Sequence, residues 1–231
     1  MVRAARLVTI LVIFVSLGGA IPAAAAADPH SAFQHIWERT DQPVEQLQVR
    51  RTWMWGPEAN TDLMTEPFAG APGGQRTVQY FDKSRMEIND PHGDQNALWY
   101  VTNGLLAKEL VTGQLQTGPE SFEAHQPAPV NVSGDPTDPT APTYASFTLL
   151  LAQPPLPPGS PITQTLDRSG AVGSDPSLAS QGVTAGSPVR ETHHAVASIF
   201  WAFLISSGLV GAAHHGPPLP GSVLCDRLSD Q

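Results

Sequence analysis

The sequence predicts an α+β, β-rich fold: an antiparallel meander with short amphipathic helices at its edges and Pro-rich linkers beyond it. Three observations carry this expectation. Residues 76–88 (RTVQYFDKSRMEI) place Val78, Tyr80, Met86 and Ile88 on one two-residue phase, the mark of a half-buried strand. The run NDPHGDQN (89–96) directly after it is a dense turn signal. Prolines gather in GDPTDPTAPT (134–143) and AQPPLPPGSP (152–161), where missing amide donors and extended backbone favour loops or stiff linkers.

Taken in order, residues 32–39 (AFQHIWER) set Phe33, Ile36 and Trp37 at i, i+3 and i+4, which predicts a short amphipathic helix ending before Pro43. Val49–Trp55 (VRRTWMW) reads as a strand, with Val49, Trp53 and Trp55 sharing a face that only Arg51 interrupts; Gly56-Pro57 turns the chain. After the strand at 76–88, Leu98–Val111 continues the meander with a tight turn at Asn103-Gly104, and Thr112-Gly113 precedes Gln114–Gln116. Ala145–Leu151 fits one strand or one helical turn between the Pro-rich runs. Ile162–Val172 (ITQTLDRSGAV) reads as a hairpin about Arg168-Ser169-Gly170. Residues 194–207 carry the strongest helix signal after residue 27.

The N-terminus reads as an export signal. Arg3 and Arg6 precede the uncharged run Leu7–Leu17, Gly18-Gly19 and Pro22 end it, and Ala23–Ala27 offer small-residue cleavage sites before Asp28. The apolar run is about half of what a bilayer-spanning helix requires. The expected domain plan is a signal at 1–27, a β-rich module at 28–151, a Pro-rich linker at 152–161, and a second, truncated module at 162–231 with an apolar helix at 195–206. Residues 195–213 carry no charge, so a C-terminal membrane anchor is the competing reading of that helix. Ser206-Ser207-Gly208 favours a helix stop.

Charge narrows the partners. The 12 Lys+Arg and 21 Asp+Glu give −9, and removing residues 1–27 with Arg3 and Arg6 gives −11. Such a chain is poorly suited to neutralise nucleic-acid phosphates, and anionic lipid surfaces should repel it. Cys225 is the only cysteine, so no internal disulfide staples the fold and a packed core must hold it.

No catalytic motif stands out, and no cofactor or metal is expected. His193-His194 and His214-His215 lack a third ligand group at a recognisable spacing. Asp82, Glu87 and Glu109 are carboxylates such as glycan hydrolases use in pairs, but salt bridges with Lys83 and Arg85 on a solvated face account for them. The aromatics are the leading binding candidates: Trp53, Trp55, Tyr80 and Trp99 fall in or beside the expected sheet, placed either to stack on an envelope sugar or to fill the core.

The stretches RTWMWGPEANTD (51–62), EPFAGAPGGQRTVQYFDKSRMEIND (66–90), YVTNGLLAKELVTGQLQTG (100–118), PTYASF (142–147), ITQTLDRSGAVGSDPSLA (162–179) and ETHHAVASIFWAFLISSG (191–208) resemble an uncharacterised family of secreted bacterial proteins. That family is distantly similar to LGFP-like cell-envelope repeats, in which an aromatic-bearing helix precedes a turn and a strand. Phe33, Ile36 and Trp37 match the first such helix, and Phe200, Trp201 and Phe203 match the start of a second. The resemblance implies a cell-envelope or extracellular role in binding, with cell-wall glycan as the candidate partner, and supplies no catalytic residues. It stops near Val210, where GAAHHGPPLPGSVLCDRLSDQ (211–231) replaces the expected aromatic-rich strands. The departure leads to the expectation of a frameshift or premature end; absence of family-like sequence in the other two frames beyond codon 210 would refute it. Three functions therefore remain open from sequence: a secreted binding or surface module, a secreted hydrolase of envelope polymer, and a C-terminally anchored surface protein.

Overall fold

The computed structural model describes residues 28–82, 84–190 and 192–211. The expected signal at 1–27, Lys83, His214, His215, Cys225 and the departing tail from 212 onward lie outside the described residues.

Helix α1 (Pro29–Thr40) begins one turn earlier than its apolar spacing predicts. Asp28 caps it by accepting the His30 N–H at 3.2 Å, and Pro29 fits the first turn, where an amide donor is not needed. The helix buries Phe33 and sets Ile36 and Trp37 against the core. Asp41 ends it, and α2 (Gln42–Glu45) follows as a single turn.

Residues 49–55 form no strand, which corrects the expectation drawn from their alternation. The Asp41 carboxylate accepts the backbone N–H groups of Met54 and Trp55, each at 2.7 Å. Those two donors are therefore held by a side chain instead of a neighbouring strand. The aromatic face expected from Trp53 and Trp55 is split accordingly. Trp55 enters the core and meets Phe81 edge-on at 5.7 Å, while Trp53 stacks on Trp37 at 6.4 Å.

The meander is present and comprises β1 (Met64–Pro67), β2 (Gln75–Tyr80), β3 (Arg85–Ile88) and β4 (Thr102–Asn103), antiparallel in chain order. The run 76–88 is a hairpin, not one strand: the Phe81 N–H reaches the Ser84 carbonyl at 2.8 Å and turns the chain. The turn also breaks the phase read from sequence. Pairing of Val78 with Glu87 and Tyr80 with Arg85 puts these four on one face. Met86 and Ile88 face the other side, toward Phe33, Trp55, Phe81 and Tyr100.

The chain then departs from the expected hairpin at Asn103-Gly104. After the short β4 it forms α3 (Leu106–Thr112), whose Leu106, Glu109 and Leu110 have helical spacing. Gly113 ends α3 in the left-handed region (φ 70°), and β5 (Gln114–Gln116) pairs with β6 (Phe122–Ala124). A Cβ at Gly113 would collide with the His125 carbonyl oxygen in addition to adopting a disfavoured φ. Gly113→Ala should therefore lower stability by about 1–3 kcal/mol, read from urea unfolding. A loss below a few tenths of a kcal/mol contradicts this placement.

Beyond residue 128, short elements and hydrogen-bonded turns replace a broad core. A 3₁₀ helix occupies Tyr144–Ala152, where a strand or helical turn was expected. The predicted hairpin exists as β7 (Gln164–Leu166) and β8 (Val172–Ser174). The Pro-rich segment at 152–161 is tied at its end: Gly159 and Ala185, then Ile162 and Val183, share backbone hydrogen bonds. In four acidic turns, Asp135, Asp138, Asp167 and Asp175 each accept a side-chain hydrogen bond from the Thr or Ser two residues on. These bonds hold the four carboxyls below their ordinary pKa. A folded pKa below the unfolded value gives stability that is present above the unfolded pKa and lost as pH falls through the folded one. Amide protection in 131–177, taken relative to the intrinsic exchange rate, should fall below about pH 4, ahead of protection in the meander; a simultaneous fall everywhere would contradict this.

The predicted helix at 195–206 is shorter than expected. Ala195–Ala197 form β10, paired with β9 (Ala185–Pro188), and only Ser198–Leu204 are helical, as α4. The Ser198 N–H and hydroxyl both bond to Thr184, which holds this stretch on β9. No helix among the described residues is long and apolar enough to cross a membrane. Ile199 and Phe200 of α4 are more than half exposed. The chain finally returns to its beginning: the Gly211 N–H donates to the Arg39 carbonyl at 2.8 Å, and Arg51 donates to the Leu209 carbonyl at 2.8 Å.

Candidate functional site

Two constellations stand out: a buried charge cluster on one face of the meander, and an apolar cleft where the returning chain meets α1. The cluster follows from strand register. Pairing of Glu66 with Arg76 and of Tyr80 with Arg85 aligns acids and bases on the face that α3 covers with Glu109. Arg85 binds Glu109 through both terminal nitrogens, at 2.9 and 3.0 Å, and donates its Nε to Glu87 at 2.8 Å. Arg76 donates to Glu66 at 3.0 Å and to the Gln116 carbonyl at 3.1 Å, with Glu87 3.2 Å from its Nη1. The Tyr80 hydroxyl donates to Glu66 and accepts from Arg85.

Arg76 and Arg85 are at most 1% exposed, which corrects the expected salt bridges on a solvated face. Burial opposes the charge on Arg85, but the hydrogen bonds to Glu109 and Tyr80 and the nearby Glu87 and Glu66 outweigh it. The guanidinium stays above its ordinary pKa. Burial first, and the bond to Glu66 second, push the Tyr80 phenol upward. Each of the three glutamates is therefore paired with an arginine. A general acid or base needs a proton-exchanging group that can reach substrate. Here Glu87 and Glu109 are buried against Arg85. Asp82 does not join Glu87, since it packs beside Gly56 in the 81–84 turn.

The cleft encloses about 400 Å³. Ile36, Arg39 and Thr40 of α1 form one wall, and Val49, Arg50, Arg51, Met54 and Trp55 form the floor. Leu98, Trp99 and Val101 approach from the segment before β4, and Phe203, Leu204 and Val210 close the remaining side. Arg51 fastens the wall by donating to the carbonyls of Thr40 and Leu209. No Asp or Glu lines the cleft. Arg39 and Arg50 make no ion pair with the described carboxylates, and burial pushes Arg39 below its ordinary pKa.

The four residues singled out from sequence do not converge. Trp55 and Trp99 both line the cleft, Trp55 as a buried core residue and Trp99 with 56% exposure. Trp53 is stacked on Trp37, and Tyr80 belongs to the charge cluster. The three cleft arginines were not anticipated as site residues. Their signal was the adjacent Arg50-Arg51 in a chain so poor in bases, but Phe203 to Val210 join them only through a contact spanning 158 residues. Among the described residues no group of three or more His, Cys, Asp and Glu is placed to hold a metal ion, and His194 instead lies 3.2 Å from the Leu151 carbonyl.

Compared with protein-family models, curated proteins and solved structures, the chain finds no match. Its chemistry must therefore be read from its own residues.

Proposed function

We propose that the chain is an exported, non-catalytic binding protein of the cell envelope or extracellular space, with the cleft as its ligand site. One observation carries this reading: among the described residues the cleft combines apolar surface with Arg39 and Arg50, which no described carboxylate pairs, while the buried sheet carboxylates are consumed in ion pairs. Clefts of this size, mostly apolar with a few polar groups, are where small ligands bind. The three-part pattern of residues 1–27 supports export.

The hydrolase reading loses its best carboxylates, because freeing Glu87 or Glu109 for proton transfer would strand Arg85 in the interior. The anchor reading rests on 195–213, whose described part is a strand followed by a seven-residue helix. Cell fractionation and retention on purified envelope test the proposal. Retained protein that releases no sugar or peptide supports it. Release of either favours hydrolysis, and detergent-dependent extraction favours an anchor.

A further inference from the structure

We propose that the cleft binds an amphipathic anion: a ligand with an apolar body and a carboxylate or phosphate head. This rests on the binding reading above and specifies its chemistry. The apolar half follows from the lining. Ile36, Met54, Leu98, Trp99, Val101 and Phe203 present hydrocarbon and aromatic surface from four separate parts of the chain. Burying a ligand's methylene groups there gains roughly 0.8 kcal/mol each.

The anionic half follows from charge. The sequence has 21 acids and 12 bases, yet three arginines and no acid line this cleft. Random placement of charges in so acidic a chain favours the opposite sign. Arg51 is spent on the carbonyls of Thr40 and Leu209, and its charge also acts on the buried Asp41 carboxylate behind the cleft. Arg39 and Arg50 keep forked donors suited to the paired oxygens of a carboxylate or phosphate. The contrast with Arg76 and Arg85 is informative. Those two are deeper and are matched by three glutamates. Where the fold uses arginine for structure it supplies the counter-charge, as Asp41 does near Arg51, and for Arg39 and Arg50 no described carboxylate does so.

A polyol glycan is disfavoured by the same lining. Sugar recognition relies on many paired hydroxyls, and Thr40, Thr102, Asn103, Ser206 and Ser207 are the only uncharged polar side chains available. The overall negative charge also makes a lipid surface an unfavourable partner, so the ligand is taken as a single molecule.

The test is titration of the full chain with dodecanoate, dodecyl phosphate, dodecanol, acetate and a soluble cell-wall glycan fragment, followed by calorimetry and tryptophan fluorescence. Saturable binding of dodecanoate or dodecyl phosphate is expected, at least tenfold tighter than dodecanol and with acetate silent. The tighter of the two anions identifies the head group. Arg39→Gln/Arg50→Gln should weaken the anion at least tenfold while leaving dodecanol binding and the thermal midpoint unchanged. Should the double variant unfold, Arg50→Gln alone, at an exposed position, must still weaken the anion severalfold. Equal affinity for dodecanol and dodecanoate, or no effect of the arginine variants, overturns the proposal. Binding of the glycan alone overturns the ligand class and leaves the binding function standing, whereas silence from all five compounds and from the envelope overturns both.

Discussion

Arg85→Met should be the most destabilising single substitution in the protein. Methionine fills much of the arginine's volume, so the change isolates charge and hydrogen bonding from packing. It removes the two bonds to Glu109, the bond to Glu87 and the one to Tyr80, and leaves the carboxylates buried without their shared cation. Breaking a buried pair by deleting one partner typically costs about 3–5 kcal/mol. Domains are stable by only about 5–15 kcal/mol. In a chain of this size that corresponds to a fall in melting temperature of roughly 6–20 °C.

The second half of this prediction separates charge from shape. Glu109→Gln keeps an oxygen for the Gln116 N–H, which the carboxylate accepts at 3.1 Å, while removing the negative charge. Adding it to Arg85→Met should therefore recover part of the loss, because one stranded carboxylate is neutralised. Equilibrium urea unfolding of the two single variants and the double variant measures the coupling. A loss below about 1 kcal/mol for Arg85→Met, a typical exposed-pair value, would show that the cluster is wetter than its burial implies.

The parts of the fold that were legible in the sequence are those fixed by local chemistry. The α1 spacing, the turn cluster at 89–96, the hairpin about 168–170 and the mixed α+β character all follow from neighbours within a few residues. Two failures have a common cause. Residues 49–55 alternate like a strand, but Asp41 captures two of their amides from 13 and 14 residues upstream in the chain. The run 76–88 keeps its alternation through a turn that reverses direction, so Val78 and Met86 share a sequence phase and oppose each other in space. Periodicity records which residues alternate and not which partner they meet. The sites were harder still. Arg85 and Glu109 are 24 residues apart, and the cleft needs residues near 40, 50, 100 and 205 together. Composition did carry one usable hint: in a base-poor chain, each arginine without a nearby acid asks for an explanation.

Asp41→Ala should be the second most damaging substitution. Asp41 is fully buried, and its two oxygens accept the Met54 and Trp55 amides at 2.7 Å each. Alanine leaves both amides without this acceptor, the Trp55 amide buried and the Met54 amide part-buried. An unsatisfied buried donor costs about 1–3 kcal/mol, and with the part-buried Met54 amide adding less, the loss is about 2–4 kcal/mol. Asp41→Asn should fall between wild type and alanine, because the amide oxygen serves one donor and the amide nitrogen faces the other. The same change reaches the cleft, since Met54 and Trp55 form its floor and Trp55 packs on Phe81. Unfolding curves and cleft-ligand titrations should therefore move together along the series Asp, Asn, Ala. Ligand affinity that falls while stability holds would place Asp41 in ligand contact; stability that falls with affinity intact at low temperature would separate the floor from the site.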